Sequence, residues 1–118
     1  MIEFRVNGTP KPWANNEIEW RKKIKDECIK LPKIKGKVKL RVKIIFYLKK
    51  ERLNKSDLDN LAKPVLDTIC KVNNPQTKDK SLTGNIYDYD DNMVFELILK
   101  KEESEIEGAF IHIEEIKD

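Results

Sequence analysis

From Lys37 to Lys49 the chain alternates without a break: Val38, Leu40, Val42, Ile44, Phe46 and Leu48 fall on one side, and Lys37, Lys39, Arg41, Lys43, Ile45, Tyr47 and Lys49 on the other. Successive side chains of a strand point to opposite faces, so a period of two predicts a strand with one face on a core. A strand buried on both faces would read as a continuous apolar run, so the sheet containing this one is covered on one side only. The cationic side could follow a phosphate backbone, each neutralised phosphate adding salt-dependent affinity. A solvated face accounts for it at least as well.

Shorter patterns fill in the rest. Ile2, Phe4 and Val6 alternate with Glu3, Arg5 and Asn7, predicting a strand over Met1–Asn7 that Gly8-Thr-Pro-Lys-Pro12 stops. A helix is predicted from about Asn16 or Glu17 to Lys30, with Trp20, Ile24, Cys28 and Leu31 as its apolar stripe, Asn15 or Asn16 as cap, and Arg21, Lys22, Lys23 and Lys25 on the flanks. Lys50–Ser56 reads as loop. A second helix follows from Asp57 or Leu58 to Cys70: Leu58, Leu61, Ala62, Val65, Leu66 and Ile69 make the apolar face, and Asp59, Lys63 and Asp67 the other. Pro64 inside it should bend it near Asn60, whose carbonyl loses its helical donor. Val72–Asn85 is polar loop; Met93, Phe95, Leu97 and Leu99, then Ala109, Ile111 and Ile113, alternate as two more strands. The expected architecture is a single α+β domain over residues 1–118, β-α-β-α-β-β, with two helices packed on one mixed or antiparallel sheet.

A chain of 118 residues suits one core. The net charge is only +3, but residues 1–56 carry 17 Lys+Arg against 6 Asp+Glu, and residues 57–118 carry 7 against 15. The first half is thus a candidate polyanion surface and the second a candidate cation-binding half. Cys28 and Cys70 lack C-x-x-C spacing and a nearby histidine, which predicts reduced thiols rather than a zinc site or disulfide. No signal-like or membrane-spanning apolar run is present, so the expected location is cytoplasmic.

The chemistry gathers at Lys55-Ser-Asp57-Leu-Asp59-Asn60-Leu-Ala-Lys63, with Asp90-Asp91 downstream. Positions i and i+2 of a regular helix lie about 200° apart, so Asp57 and Asp59 reach one cation only if Asp57 is the cap and Asp59 sits in the first turn. Converging carboxylates repel one another and persist where a cation holds them; Mg2+ takes oxygen ligands, keeps waters and accepts phosphate oxygens, and Mn2+ is its alternate. Asp90-Asp91 would join them at the mouth of the next strand to complete the metal set, and Lys63 would neutralise charge in the transition state or position the attacking water. Separately, each has a plainer reading: Asp57 as a cap, Asp59 and Lys63 as an ion pair worth about 0.3–0.5 kcal/mol, and Asp88-Tyr-Asp-Asp91 as a turn. Jointly they point to a site.

Other motifs fail on inspection. Asp88, Asp90 and Asn92 imitate the start of a calcium loop, but Met93 stands where glycine is needed and Leu99 where glutamate is needed. The only histidine, His112, lies on a strand without sequence partners, and the four glycines form no phosphate-binding pattern.

The run Lys55-Ser-Asp57-Leu-Asp59-Asn60-Leu-Ala-Lys63-Pro-Val-Leu-Asp67-Thr-Ile69, followed by Tyr89-Asp90-Asp91-Asn92-Met-Val94, resembles the D-x-D-N-x-x-K-x-x-x-D and D-D-x-x-V signature of RusA-type Holliday-junction resolvases. The first strand ending in Gly8-Thr-Pro10 also fits, and the connection Val72–Asn85 is longer than the family's usual turn. The resemblance implies a Mg2+-dependent endonuclease of bacterial or phage origin, a homodimer that makes paired nicks in a four-way DNA junction. It assigns Asp57, Asp59 and Asp91 as the essential acids, Asp90 as a supporting one and Lys63 as the catalytic lysine. A C2 dimer suits two strands of opposite polarity. Lys11, Arg21, Lys22, Lys55 and Asn60 are the candidate DNA contacts. The competing reading is a non-catalytic nucleic-acid-binding protein with a structural Asp cluster, and a third is a divalent-cation-binding structural module.

Overall fold

The computed structural model describes residues 1–69, 84, 86, 87 and 93–117. Its centre is the alternating run identified above, now strand β2 (Leu40–Leu48), in which Leu40, Val42, Ile44, Phe46 and Leu48 have no solvent exposure. The other strands are β1 (Ile2–Asn7), β3 (Val94–Glu103) and β4 (Gly108–Glu115), and the order across the sheet is β1-β4-β2-β3. β4 runs antiparallel to both β1 and β2. β2 and β3 are parallel, because the chain between them returns along the sheet as a helical crossover. The result is a mixed sheet in a single α+β domain, with a Cα radius of gyration of 13.6 Å, against about 13.5 Å for one compact unit of this length.

Helix α1 (Ile18–Cys28) and helix α3 (Leu58–Ile69) supply the covering layer. Trp20, Ile24 and Cys28 of α1 and Leu61, Val65 and Ile69 of α3 join Phe4, Val6, Ile111 and Ile113 in one core. Burial of this kind stabilises by roughly 1.5–3 kcal/mol per large apolar side chain. Burial also pushes the Cys28 thiol up to about 12, so it stays protonated and unreactive. Cys70 lies outside the described residues. Gly108 opens β4 where a side chain could not fit, since an added Cβ would collide with the Val6 carbonyl. Among the described residues no helix is long and apolar enough to cross a membrane.

Several expectations need correction. Lys50–Leu53, expected as loop, forms a short helix, α2. Helix α1 is shorter than predicted, and neither asparagine caps it: the cap is Glu17, without a side-chain bond, while Asn16 is left-handed at φ 52°. Phe95 and Leu97 do not point into a core but are 62% and 42% exposed, because β3 is an outer strand and it is Val94 and Leu99 that pack inward. Asp67 does not share an exposed face with Asp59; it is buried, like its neighbour Thr68.

Arg21 is the largest departure. Expected on a solvated flank and as a DNA contact, it is 8% exposed, with Nε donating to Thr68 Oγ1 at 2.8 Å and Nη2 to the Asp67 carbonyl at 3.4 Å. The Thr68 hydroxyl donates in turn to the Pro64 carbonyl at 2.7 Å, so this arginine clamps α1 to α3. His112 finds one partner across strands and one on its own: Nδ1 lies 3.0 Å from Glu3 Oε1 on β1, and Nε2 lies 3.4 Å from Glu114 Oε2 two residues along β4. Glu114 and Glu96 both accept from Arg41, which holds the Glu114 carboxyl below its ordinary range, with His112 adding to the effect.

Candidate functional site: the start of helix α3

The expected position of the two aspartates is met. Asp57 precedes the first helical residue, and its carbonyl accepts from the Leu61 N–H at 3.0 Å, the bond that defines a cap; Asp59 lies in the first turn. Both side chains are exposed, and the partial positive charge of a helix start favours carboxylates there. Leu61, Ala62 and Val65 anchor the same turns in the core, which fixes the direction in which the acids project.

A lysine on β3 holds the approach to this helix. Lys101 donates from Nζ to the carbonyls of Leu53 and Ser56, at 2.6 and 3.0 Å, tying down the segment that delivers Asp57. Lys101 falls on the core-facing side of an alternating strand, where the sequence pattern gave no sign of a polar task. Arg52 of α2 is committed in the same way, to Glu107 at 3.2 Å and to the Pro10 carbonyl at 2.7 Å.

Pro64 explains what packs over the acidic turn. It cannot donate the helical bond to the carbonyl of Asn60, and that carbonyl accepts instead from the Trp13 N–H at 3.0 Å. The freed acceptor thus docks the Pro10–Asn16 turn on α3. Lys63 sits one turn beyond Asp59 with Nζ 5.9 Å from the centre of the Trp13 ring and 3.9 Å from Asp67 Oδ2. Its ion pair is therefore with Asp67. A cleft of about 410 Å3 separates the turn from the helix start, lined among others by Lys11, Lys55, Asp57 and Asn60.

Of the residues expected at the site, Asp57, Asp59, Asn60, Lys63, Lys11 and Lys55 are brought to one end of the sheet. Lys22 is exposed on α1 and Arg21 is buried. Asp90 and Asp91 lie outside the described residues, and among the described residues no three histidine, cysteine or acidic groups form a metal-binding set. The start of β3, Val94, pairs with Leu40, whereas the segment that delivers Asp57 is fixed at Lys101, level with Phe46. Those two levels of β3 are about 23 Å apart at about 3.3 Å per residue.

Comparison of the chain with family models, with curated proteins and with solved structures found no match.

Proposed function

We propose that this chain is a Mg2+-dependent DNA endonuclease that resolves four-way junctions, the activity implied by its likeness to RusA-type resolvases. The observation that carries the reading is the start of α3: Asp57 as cap and Asp59 in the first turn, both exposed, with Lys63 one turn on and a cleft bearing Lys11 and Lys55 alongside. Two carboxylates and a substrate phosphate are a donor set that suits Mg2+, with Mn2+ as substitute. When bound, the metal supplies positive charge to the scissile phosphate and acidifies a coordinated water.

The chain's own groups do the rest. Asp57 and Asp59 would hold the cation, Lys63 would offset charge on the phosphate as the bond breaks, and Lys11, Lys22, Lys55 and Asn60 would take the flanking backbone. The resemblance assigns Asp91, supported by Asp90, to the same acidic set, and the enzyme works as a C2 homodimer whose two sites meet two strands of opposite polarity. A bacterial or phage enzyme of this kind works on the nucleoid, in the cytoplasm.

The deciding experiment is cleavage of a four-way junction in Mg2+ by the wild type and by Asp59→Asn. The variant should bind the junction and leave it intact, while the wild type introduces paired nicks and sediments as a dimer. A wild type that binds junctions without any Mg2+-dependent cutting would overturn the proposal in favour of a non-catalytic binding protein. Failure to bind DNA at low salt would leave a structural cation-binding module.

A further inference from the structure

The turn from Pro10 to Asn16 has a conformation that core packing does not require. Ala14 and Asn16 are both left-handed, at φ 64° and 52°, a backbone state unfavourable for alanine and readily taken by asparagine. The turn is held there by the Trp13–Asn60 bond and by Arg52 on the Pro10 carbonyl. The consequence is an indole kept in solvent: Trp13 is 54% exposed, whereas Trp20, the only other tryptophan, is 2% exposed and belongs to the core. Lys63 approaches the Trp13 ring. Beside the turn lies the cleft with Lys11 and Lys55, of a volume within the roughly 300–1,000 Å3 range of ligand sites.

A half-exposed indole on a turn that borders a cleft with two lysines is a pattern that suits an unpaired nucleic-acid strand, the ring meeting a base and the ammonium groups meeting phosphates. We propose that the Pro10–Asn16 turn is a clamp for single-stranded DNA, with Trp13 stacked on an unpaired base beside the acidic helix start and Lys11 and Lys55 on the adjoining phosphates. The inference rests on the nucleic-acid reading of this site and deepens it: the preferred substrate carries unpaired bases next to the cut, as at a branch point, rather than continuous duplex. Arg52 is not one of the clamp's cations, because its guanidinium is already engaged by Glu107 and Pro10.

The clamp is tested without cleavage, by titrating the whole chain with a fluorescein-labelled oligothymidylate of about ten nucleotides in EDTA at low salt, reading binding from the label's anisotropy and stacking from tryptophan emission with the unlabelled strand. The wild type should show saturable quenching, and its affinity should fall with log salt at a slope of about −1.4 for two phosphates. Trp13→Phe should bind while losing the quench, since only Trp20 remains to report. Trp13→Ala should bind roughly 5- to 140-fold more weakly, which is the ~1–3 kcal/mol of one stacked base at about 1.4 kcal/mol per tenfold. Lys11→Gln should reduce the salt slope by about 0.7. Unchanged Trp20 emission in Trp13→Ala establishes that the variant is folded.

An unquenched wild type, or a folded Trp13→Ala that binds like the wild type, overturns the clamp. If Mg2+-dependent junction cleavage persists in that case, the nuclease reading stands without it. Trp13-dependent binding together with absent cleavage supports the clamp and removes the nuclease.

Discussion

The N–H of Trp13 donates to the carbonyl of Asn60 at 3.0 Å, filling the place of the helical donor that Pro64 lacks. A proline inside α3 thereby attaches a loop from the N-terminal part of the chain to the acidic turn. Pro64→Ala restores the missing donor and sets it in competition with Trp13 for one carbonyl. The turn should loosen: acrylamide should quench Trp13 more strongly in this variant than in the wild type, with helix content preserved by circular dichroism. Equal quenching in the two proteins would show that the proline does not dock the turn.

Lys101 is the second fastening. Replacing it with methionine keeps most of the buried stem but removes two charge-assisted bonds to the Leu53 and Ser56 carbonyls. Hydrogen bonds to charged groups contribute about 1.5–3 kcal/mol each when measured by deletion, and this ammonium is half-buried. A urea melt should show Lys101→Met destabilised by about 1–3 kcal/mol. Junction cleavage should fall by more than DNA binding does, because Asp57 is no longer held in place.

Arg21 acts through folding. Arg21→Met leaves the Thr68 hydroxyl and the Asp67 carbonyl without their donor in a buried site, and the expected loss is about 1–3 kcal/mol in chemical denaturation. Thr68→Val should destabilise in the same direction. Junction affinity of the folded Arg21→Met protein should match the wild type. A loss of affinity with unchanged stability would return Arg21 to the DNA-binding surface.

Acid should weaken the open face of the sheet. The Glu114 carboxyl is held below its ordinary value of 4.5 by Arg41 and, secondarily, by His112. A group depressed on folding stabilises the native state above its unfolded pKa, and that contribution is lost as the pH falls through the lower folded value. Thermal melts should therefore drop below about pH 4.5 in the wild type. Glu114→Gln should be less stable at neutral pH and show a shallower acid slope.

The legible parts of the chain were those in which a single period speaks for itself. The alternation around Val42 and Ile44, the stripe from Leu61 to Ile69, and the cap at Asp57 with Asp59 behind it all follow from local spacing and appear in the structure. What spacing does not encode is the neighbour. Phe95 and Leu97 alternate as well as any core strand, yet they sit on an outer strand, and whether β3 pairs parallel or antiparallel depends on the crossover rather than on its own residues. Arg21 and Lys101 look like surface cations because their acceptors are backbone or hydroxyl oxygens far away in sequence. Lys50–Leu53 is too short for a helical period to register. At the site, the carboxylates announced themselves through their spacing, whereas the docking of Trp13 depends on a bond that Pro64 fails to make.

The place of β4 between β1 and β2 has a consequence for how the protein comes into being. β4 follows β1, β2 and β3 in chain order, yet among the described residues it is the Gly108–Glu115 backbone that links β1 to the rest of the sheet. While the ribosome is still translating upstream of it, β1 has nothing to pair with, and the apolar side of β2 lacks Ile111 and Ile113. Folding is therefore held back until synthesis has passed Glu115. A chain built this way stays open through most of its synthesis and closes in one step.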